Sequence, residues 1–272
     1  MDLQDTKSLL DNIYNYFRQQ KIQYGNCIFL DEGNVIEEKK LNEEKNIKSD
    51  NKIQVTKDET PALDLFGEPV PGQKKVFEEW ENATSIQELN EMICNCLKCP
   101  LGHTRTKFVF GVGNPNADIV FIGEAPGADE DMQGEPFVGR AGQLFNKILD
   151  AIKWKREDVY ICNILKCRPP GNRDPLTSEV ELCEPYLKKQ IELIKPIIIV
   201  SLGRIAAQTL LRKPSESLTS LRSKIHSYEG IPLLVTFHTA ALLRNPNWKP
   251  DAWEDFKKLK AMYDNATNKK LI

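Results

Sequence analysis

A chain of 272 residues, 40% hydrophobic and 28% charged, is long enough to bury a full domain core and still carry an appendage. No apolar run approaches the ~18 residues of a membrane span, and the start MDLQDTKSLL lacks the basic and apolar regions of a signal peptide, so a cytoplasmic protein without a membrane anchor is expected. The net charge of −2 hides a division: residues 1–93 hold 11 Lys+Arg against 19 Asp+Glu, residues 94–272 hold 26 against 20, and only the second stretch suits a polyanion.

In chain order, residues 3–22 place Leu9, Leu10, Ile13, Tyr14 and Phe17 at helical spacing, which predicts an amphipathic helix within an N-terminal extension covering 1–36. Residues 37–84 are rich in Lys, Glu, Asp and Asn with few large apolar side chains, and read as an acidic flexible linker. A dense domain is expected over 85–268. There, β-branched apolar runs at 118–123, 159–165, 196–203 and 231–238 alternate with helical patterns near 139–152, 177–194, 203–212 and 250–264. This order predicts an α/β fold, a three-layer α/β/α sandwich around a central four-stranded parallel sheet. Ligands of such sheets bind beyond the carboxyl ends of the strands, which points to Gly123–Gly127, Asn163, Gly203–Arg204 and His238.

Seven cysteines are an odd number in a chain with no export signal, so thiolate ligands or buried thiols are expected rather than disulfides. Cys96-x2-Cys99 and Cys167-x15-Cys183 suit a [4Fe-4S] cluster or a Cys₄ zinc site; the loose second pair favours iron-sulfur and keeps zinc as the alternative. Cys94 is a rival ligand, Cys162 reads as a small hydrophobe inside a strand, and Cys27 lies outside the domain. Between Gly123 and Gly142 the loop GEAPGADEDMQGEPFVGRAG predicts a tight, irregular backbone, in which Glu124, Asp129, Glu130 and Asp131 are candidates to hold a water. It is neither a Walker loop nor a dinucleotide fingerprint, which disfavours a nucleotide cofactor.

The segments GEAPGADED, PFVGRAG, ICNILKCRPPGNRDP and HTAALLRNP, in this order and after predicted strands, closely resemble the family-four (iron-sulfur) uracil-DNA glycosylases over about residues 85–260. The resemblance implies a uracil-DNA glycosylase-like fold. It also implies a monofunctional repair hydrolase that cuts the N-glycosidic bond of uracil in DNA and leaves an abasic site, without lyase activity. On the matching positions, Phe137 becomes the wall on which extruded uracil stacks, Asn163 the amide that reads the base edge, and His238 the donor to uracil O2 as charge arrives there. Glu130 is the acid expected to position water or stabilise the oxocarbenium ion, with Asp131 weaker. Glu124, Ala125 and Gly127 would contact the base, and Leu242 or Leu243 would wedge into the stack while Arg204 and Arg244 meet DNA. Thr239 departs from the family pattern, which often has proline after the histidine, and puts the aim of His238 in question.

Two other classes compete: a metal-stabilised nucleic-acid-binding module without catalysis, and a bifunctional glycosylase-lyase, for which no strand-end lysine stands out as a Schiff-base nucleophile. The relative that becomes covalently trapped on its product needs a histidine that CRPPGNRDP lacks. A monomeric enzyme is expected. In the linker, Ala62 with Leu63, Asp64, Leu65 and Phe66 (ALDLF) is similar to the short peptide by which bacterial DNA enzymes dock on the replication sliding clamp, which makes that clamp a candidate partner.

Overall fold

The computed structural model describes residues 78–268. The expected N-terminal helix, most of the linker, Cys27 and the ALDLF peptide lie outside the described residues. Packed structure begins ahead of the expected start at 85: a 3₁₀ turn at Glu79–Asn82 sets Trp80 edge-on against Tyr186 at 4.8 Å and buries Ala83.

The elements in chain order are α1 (Ile86–Ile93), α2 (Leu101–Thr104), β1 (Val112–Gly113), β2 (Ile119–Gly123), α3 (Ala128–Gln133), α4 (Arg140–Ala151), β3 (Tyr160–Asn163), α5 (Thr177–Ile194), β4 (Ile198–Leu202), α6 (Arg204–Leu211), α7 (Leu218–Arg222), β5 (His226–Tyr228), β6 (Ile231–Thr236), α8 (Thr239–Arg244) and α9 (Lys249–Asn268). The strand order is β1-β3-β2-β4-β6-β5. The four anticipated strands form the parallel centre, and β1 and β5 add antiparallel edges that the sequence reading did not include.

Alternation along the central strands makes the layers. Val120, Ile122, Tyr160, Cys162 and Ile199 join one core with α1, α5 and α6, while Ile119, Phe121, Ile161 and Val200 join the other with α4 and α9. Both faces are covered, so β2, β3 and β4 are buried along their whole length. From β2 the chain moves outward to β3 and then crosses to β4 on the other side of β2. That reversal opens a crevice at the carboxyl ends of the strands.

The glycine-rich loop after β2 is less irregular than expected, because it contains α3. Gly127 starts this helix with its N–H given to Glu130 Oε2 at 3.1 Å, and Gly134, at φ +85°, closes it with its N–H on Glu130 O at 2.7 Å. The segment Thr239–Arg244 is helical from its first residue. Thr239 is fully buried there, so the departure from proline does not unravel the segment.

Candidate active site

The four parallel strand ends meet at a cavity of about 550 Å³. Glu124, Ala125 and Gly127 reach it after β2, Asn163 from the end of β3, Arg204 after β4 and His238 after β6; Glu130, Phe137 and Arg244 complete its wall. The segments following β2 and β3 remain laddered, with Ile164 N–H on Gly123 O and Leu165 N–H on Glu124 O, both at 3.0 Å, so Asn163 and the Gly123–Gly127 loop are held in fixed relation.

Asn163 is buried, and its Oδ1 has no hydrogen-bond partner among the described residues. An unmatched buried acceptor is costly unless something supplies a donor. Next to it, Gly123 is the residue that fits: a Cβ there would overlap Asn163 Oδ1 and the Phe137 ring. The amide oxygen and the aromatic ring therefore face a slot kept open by a missing side chain.

Phe137 sits in the left-handed region at φ +56°, which a bulky residue adopts only when held. Arg156 holds it, donating Nη1 to Phe137 O at 3.1 Å and Nη2 to Pro136 O at 2.7 Å, and a Cβ at Gly142 would overlap the same carbonyl. The ring lies 5.4 Å from Phe145 and 5.3 Å from the His238 imidazole, inclined by 31° to the latter.

His238 caps α8: its Nδ1 accepts from Ala240 N–H at 3.1 Å. With Nδ1 an acceptor, the proton of the neutral ring is on Nε2. Burial, and then the Arg244 cation, push the histidine down to about 4, against an opposing pull from Glu130. Near neutral pH the ring is thus an uncharged Nε2–H donor. Burial and the Asp174 carboxylate raise Glu124 to about 7, with Arg204 and Arg244 opposing.

Glu130 serves the backbone as well as the cavity. It accepts from Gly127, Val138 and Gly139 N–H groups at 3.0–3.1 Å, which ties α3 to the Phe137 turn and leaves its charge beside His238. Asp131 accepts from Thr106 and Lys107 N–H groups instead and is not part of the cavity wall. Leu242 requires a correction: expected as a possible wedge into DNA, it is buried with Phe237 and Ala252, because it is the apolar side of the short α8 that seats this helix on the domain. Leu243 is the exposed one of the pair.

On the far side of Asn163 stand the thiols. Cys96, Cys99, Cys167 and Cys183 are mutual electrostatic neighbours. Tyr186 Oη donates to Cys96 Sγ at 3.3 Å, Arg105 Nη1 to Cys167 Sγ at 3.3 Å, and Lys166 N–H to Cys183 Sγ at 3.4 Å. Burial pushes Cys167 up to about 11 and Cys183 to about 12, so ionised sulfur here calls for a cationic group. Cys94 turns away, with its Sγ on Glu91 O. Among the described residues no three His, Cys, Asp or Glu side chains form a group placed to hold a metal ion.

Lys166 links the thiol loop to the cavity and escaped the sequence reading. Its side chain is fully buried, and Nζ donates to Asn163 O at 2.8 Å and to Gln190 Oε1 at 2.6 Å; Gln190 passes the chain on to Phe110 O and Tyr160 Oη. A lysine at the end of an apolar strand was the available signal. Arg156 left none, since it acts on backbone carbonyls far from it in sequence.

The profile of the Uracil DNA glycosylase superfamily matches residues 110–257. The chain is similar to the type-4 uracil-DNA glycosylase of Archaeoglobus fulgidus, 46% identical over 182 residues that cover 64% of this chain and 92% of the relative. It is similar also to those of Saccharolobus solfataricus, 46% identical with 65% and 85% covered, and Thermotoga maritima, 44% identical with 59% and 84% covered.

Proposed function

Since the chain belongs to the uracil-DNA glycosylase superfamily and to its type-4 branch, we propose that the cavity at the strand ends is where it releases uracil from DNA. The enzyme is a hydrolase of the N-glycosidic bond, acting in DNA repair. The observation that carries the assignment of the site is the buried Asn163 Oδ1 without a partner, set against the Phe137 ring with a neutral histidine in the same cavity. An empty acceptor matches the N3–H of uracil. Cytosine presents an acceptor at that edge and would leave two acceptors opposed.

In the reaction the C1′–N1 bond breaks, its electron pair passes to the base, water oxygen bonds to C1′, and the proton that the water loses is balanced by the one the departed uracil anion takes up from solvent. His238 Nε2–H meets uracil O2 as it becomes anionic, and because the ring is neutral its Nδ1 can go on accepting from Ala240 N–H while Nε2 donates. Glu130, fixed by its backbone donors, supplies negative charge for the oxocarbenium ion and is the acid best placed to orient the water. Phe137 stacks on the base, the Gly123–Gly127 backbone borders it, and Arg204, Leu243 and Arg244 are the DNA contacts. Lys166, at the end of β3, is spent on Asn163 O and Gln190, and no lysine lines the cavity among the described residues, which supports simple hydrolysis without lyase activity.

Cys96, Cys99, Cys167 and Cys183 would hold a [4Fe-4S] cluster. The loose second pair, Cys167-x15-Cys183, favours iron-sulfur over zinc, whose ribbon sites usually offer two tight C-x2-C knuckles. Bound there, the cluster supplies a brace between the segment before α2 and the loop after β3. The glycosylase domain is taken as residues 85–268, acting as a cytoplasmic monomer; among the described residues no helix is long and apolar enough to cross a membrane. The test is anaerobic purification followed by a uracil-release assay on single- and double-stranded oligonucleotides, with iron, sulfide and zinc counted in the same sample. Release with intact backbone and about four irons per chain is expected; no release, or zinc in place of iron, overturns the corresponding part.

A further inference from the structure

Trp248 is 41% exposed and lies on the wall of the cavity beyond α8. Its exposure is built rather than incidental. The indole stacks on Phe237 with centroids 5.3 Å apart and planes 17° from parallel. Phe237 is itself buried, and the Arg222 guanidinium covers it at 4.0 Å. Arg222 is in turn fixed by Asp255, with Nε 2.8 Å from Oδ2. Trp248 and Arg222 both pack on the Phe237 ring, Arg222 is held by a part-buried ion pair, and the Trp248 ring is left accessible on the cavity wall. The same wall carries Arg204 and Arg244, whose charges reach Glu124 inside.

A rigid aromatic ring flanked by guanidinium groups matches one chemistry, a nucleobase on a phosphate backbone, because every base has a face to stack and each sugar carries an anion beside it. The cavity already accounts for one base through Phe137 and Asn163. We propose that Trp248 is a stacking platform for an unpaired nucleobase adjacent to the uracil on the same strand, so that the enzyme holds two consecutive bases out of the duplex stack. The platform rests on the uracil-releasing reading only for the identity of the neighbouring nucleotide. It confers affinity without base identity, since stacking does not read a Watson–Crick edge.

The test uses the full-length protein and three single-stranded oligonucleotides: one with uracil between ordinary nucleotides, and two in which the 5′ or the 3′ neighbour is a tetrahydrofuran abasic residue. Binding is followed by anisotropy and base release in parallel. Trp248→Ala should weaken binding to the intact strand roughly tenfold or more, the loss falling mainly on KM. Trp248→Phe should recover much of it. On the strand lacking the base on the stacked side, wild type and Trp248→Ala should coincide. Equal losses on all three strands, or no loss on any, overturn the platform. A wild type that shows the Trp248-dependent, neighbour-dependent affinity yet releases no uracil would overturn the glycosylase reading and uphold the platform.

Discussion

The ends of β3 and β6 deliver the two polar groups proposed to meet the base, and the protein holds them in opposite ways. Asn163 keeps its amide oxygen empty and is braced from behind, through its own backbone carbonyl, by Lys166 and Gln190. His238 aims itself: one ring nitrogen caps α8, and the other is the one proposed to meet the substrate. A group that recognises by an unfilled valence cannot use that atom for its own positioning, so its support must be remote. A group with two functional atoms can be fixed through one and act through the other. The β3 end should therefore fail through distant changes, and the β6 end through local ones.

The largest expected effect breaks the β3 side at its far end. Cys167→Ser removes a proposed ligand from the loop that follows Asn163 and should lose iron and soluble protein together, because binding of a cluster there and folding of its loop would be one equilibrium. Iron content and soluble yield, measured on Cys94→Ser and Cys96→Ser in parallel, check the ligand set: loss of iron in the Cys94 variant with retention in the Cys96 variant would falsify it. On the β6 side, His238→Ala should slow single-turnover release by roughly a hundredfold or more, equivalent to about 3 kcal/mol of transition-state stabilisation, with iron unaffected. Asn163→Asp should reduce uracil release and raise cytosine relative to it, since a neutral amide becomes a group whose charge state decides whether it donates.

Lys166→Met sharpens the contrast. It preserves the length of the side chain, removes the donor to Asn163 O and leaves Gln190 Oε1 unmatched, at a cost of about 1–3 kcal/mol in stability. If the brace does more than hold the fold, inhibition by free uracil should weaken in this variant while binding to abasic DNA is retained. A loss of stability with unchanged uracil inhibition would reduce Lys166 to a packing role.

The strand ends were legible because the parallel strands are buried on both faces, which makes apolar runs stop where chemistry begins; Asn163 stands out in VYICNIL for that reason. The four thiols were legible by spacing. The edge strands β1 and β5 were not, as two or three residues cannot show alternation. Within the glycine-rich loop, α3 was concealed because Gly127 and Gly134 read as breakers when they are its two ends. Leu242 and Leu243 could not be told apart in ALLR, since only the seating of α8 decides which one is buried. The positive φ of Phe137 and the Arg156 clamp depend on contacts between carbonyls and a distant guanidinium, and no periodicity encodes those.

The smallest effect is one of pH, and it sets the end of β6 against the loop after β2. The fold holds His238 at about 4, below its ordinary 6.5, so between those values the unfolded chain binds a proton that the native chain refuses, and stability falls as pH drops through the window. Glu124 is raised from 4.5 to about 7, so there the native chain holds a proton that the unfolded chain has lost, and stability falls as pH rises. The slopes oppose each other between pH 4.5 and 6.5, and the wild type should show little net dependence on these two groups. Substituting either one exposes the other. Glu124→Gln should leave a protein whose stability rises with pH across the window, and His238→Asn one whose stability falls, each by on the order of 1–3 kcal/mol. Denaturant midpoints taken at half-unit steps decide it: parallel profiles for wild type and both variants would show that neither group is held away from its ordinary value.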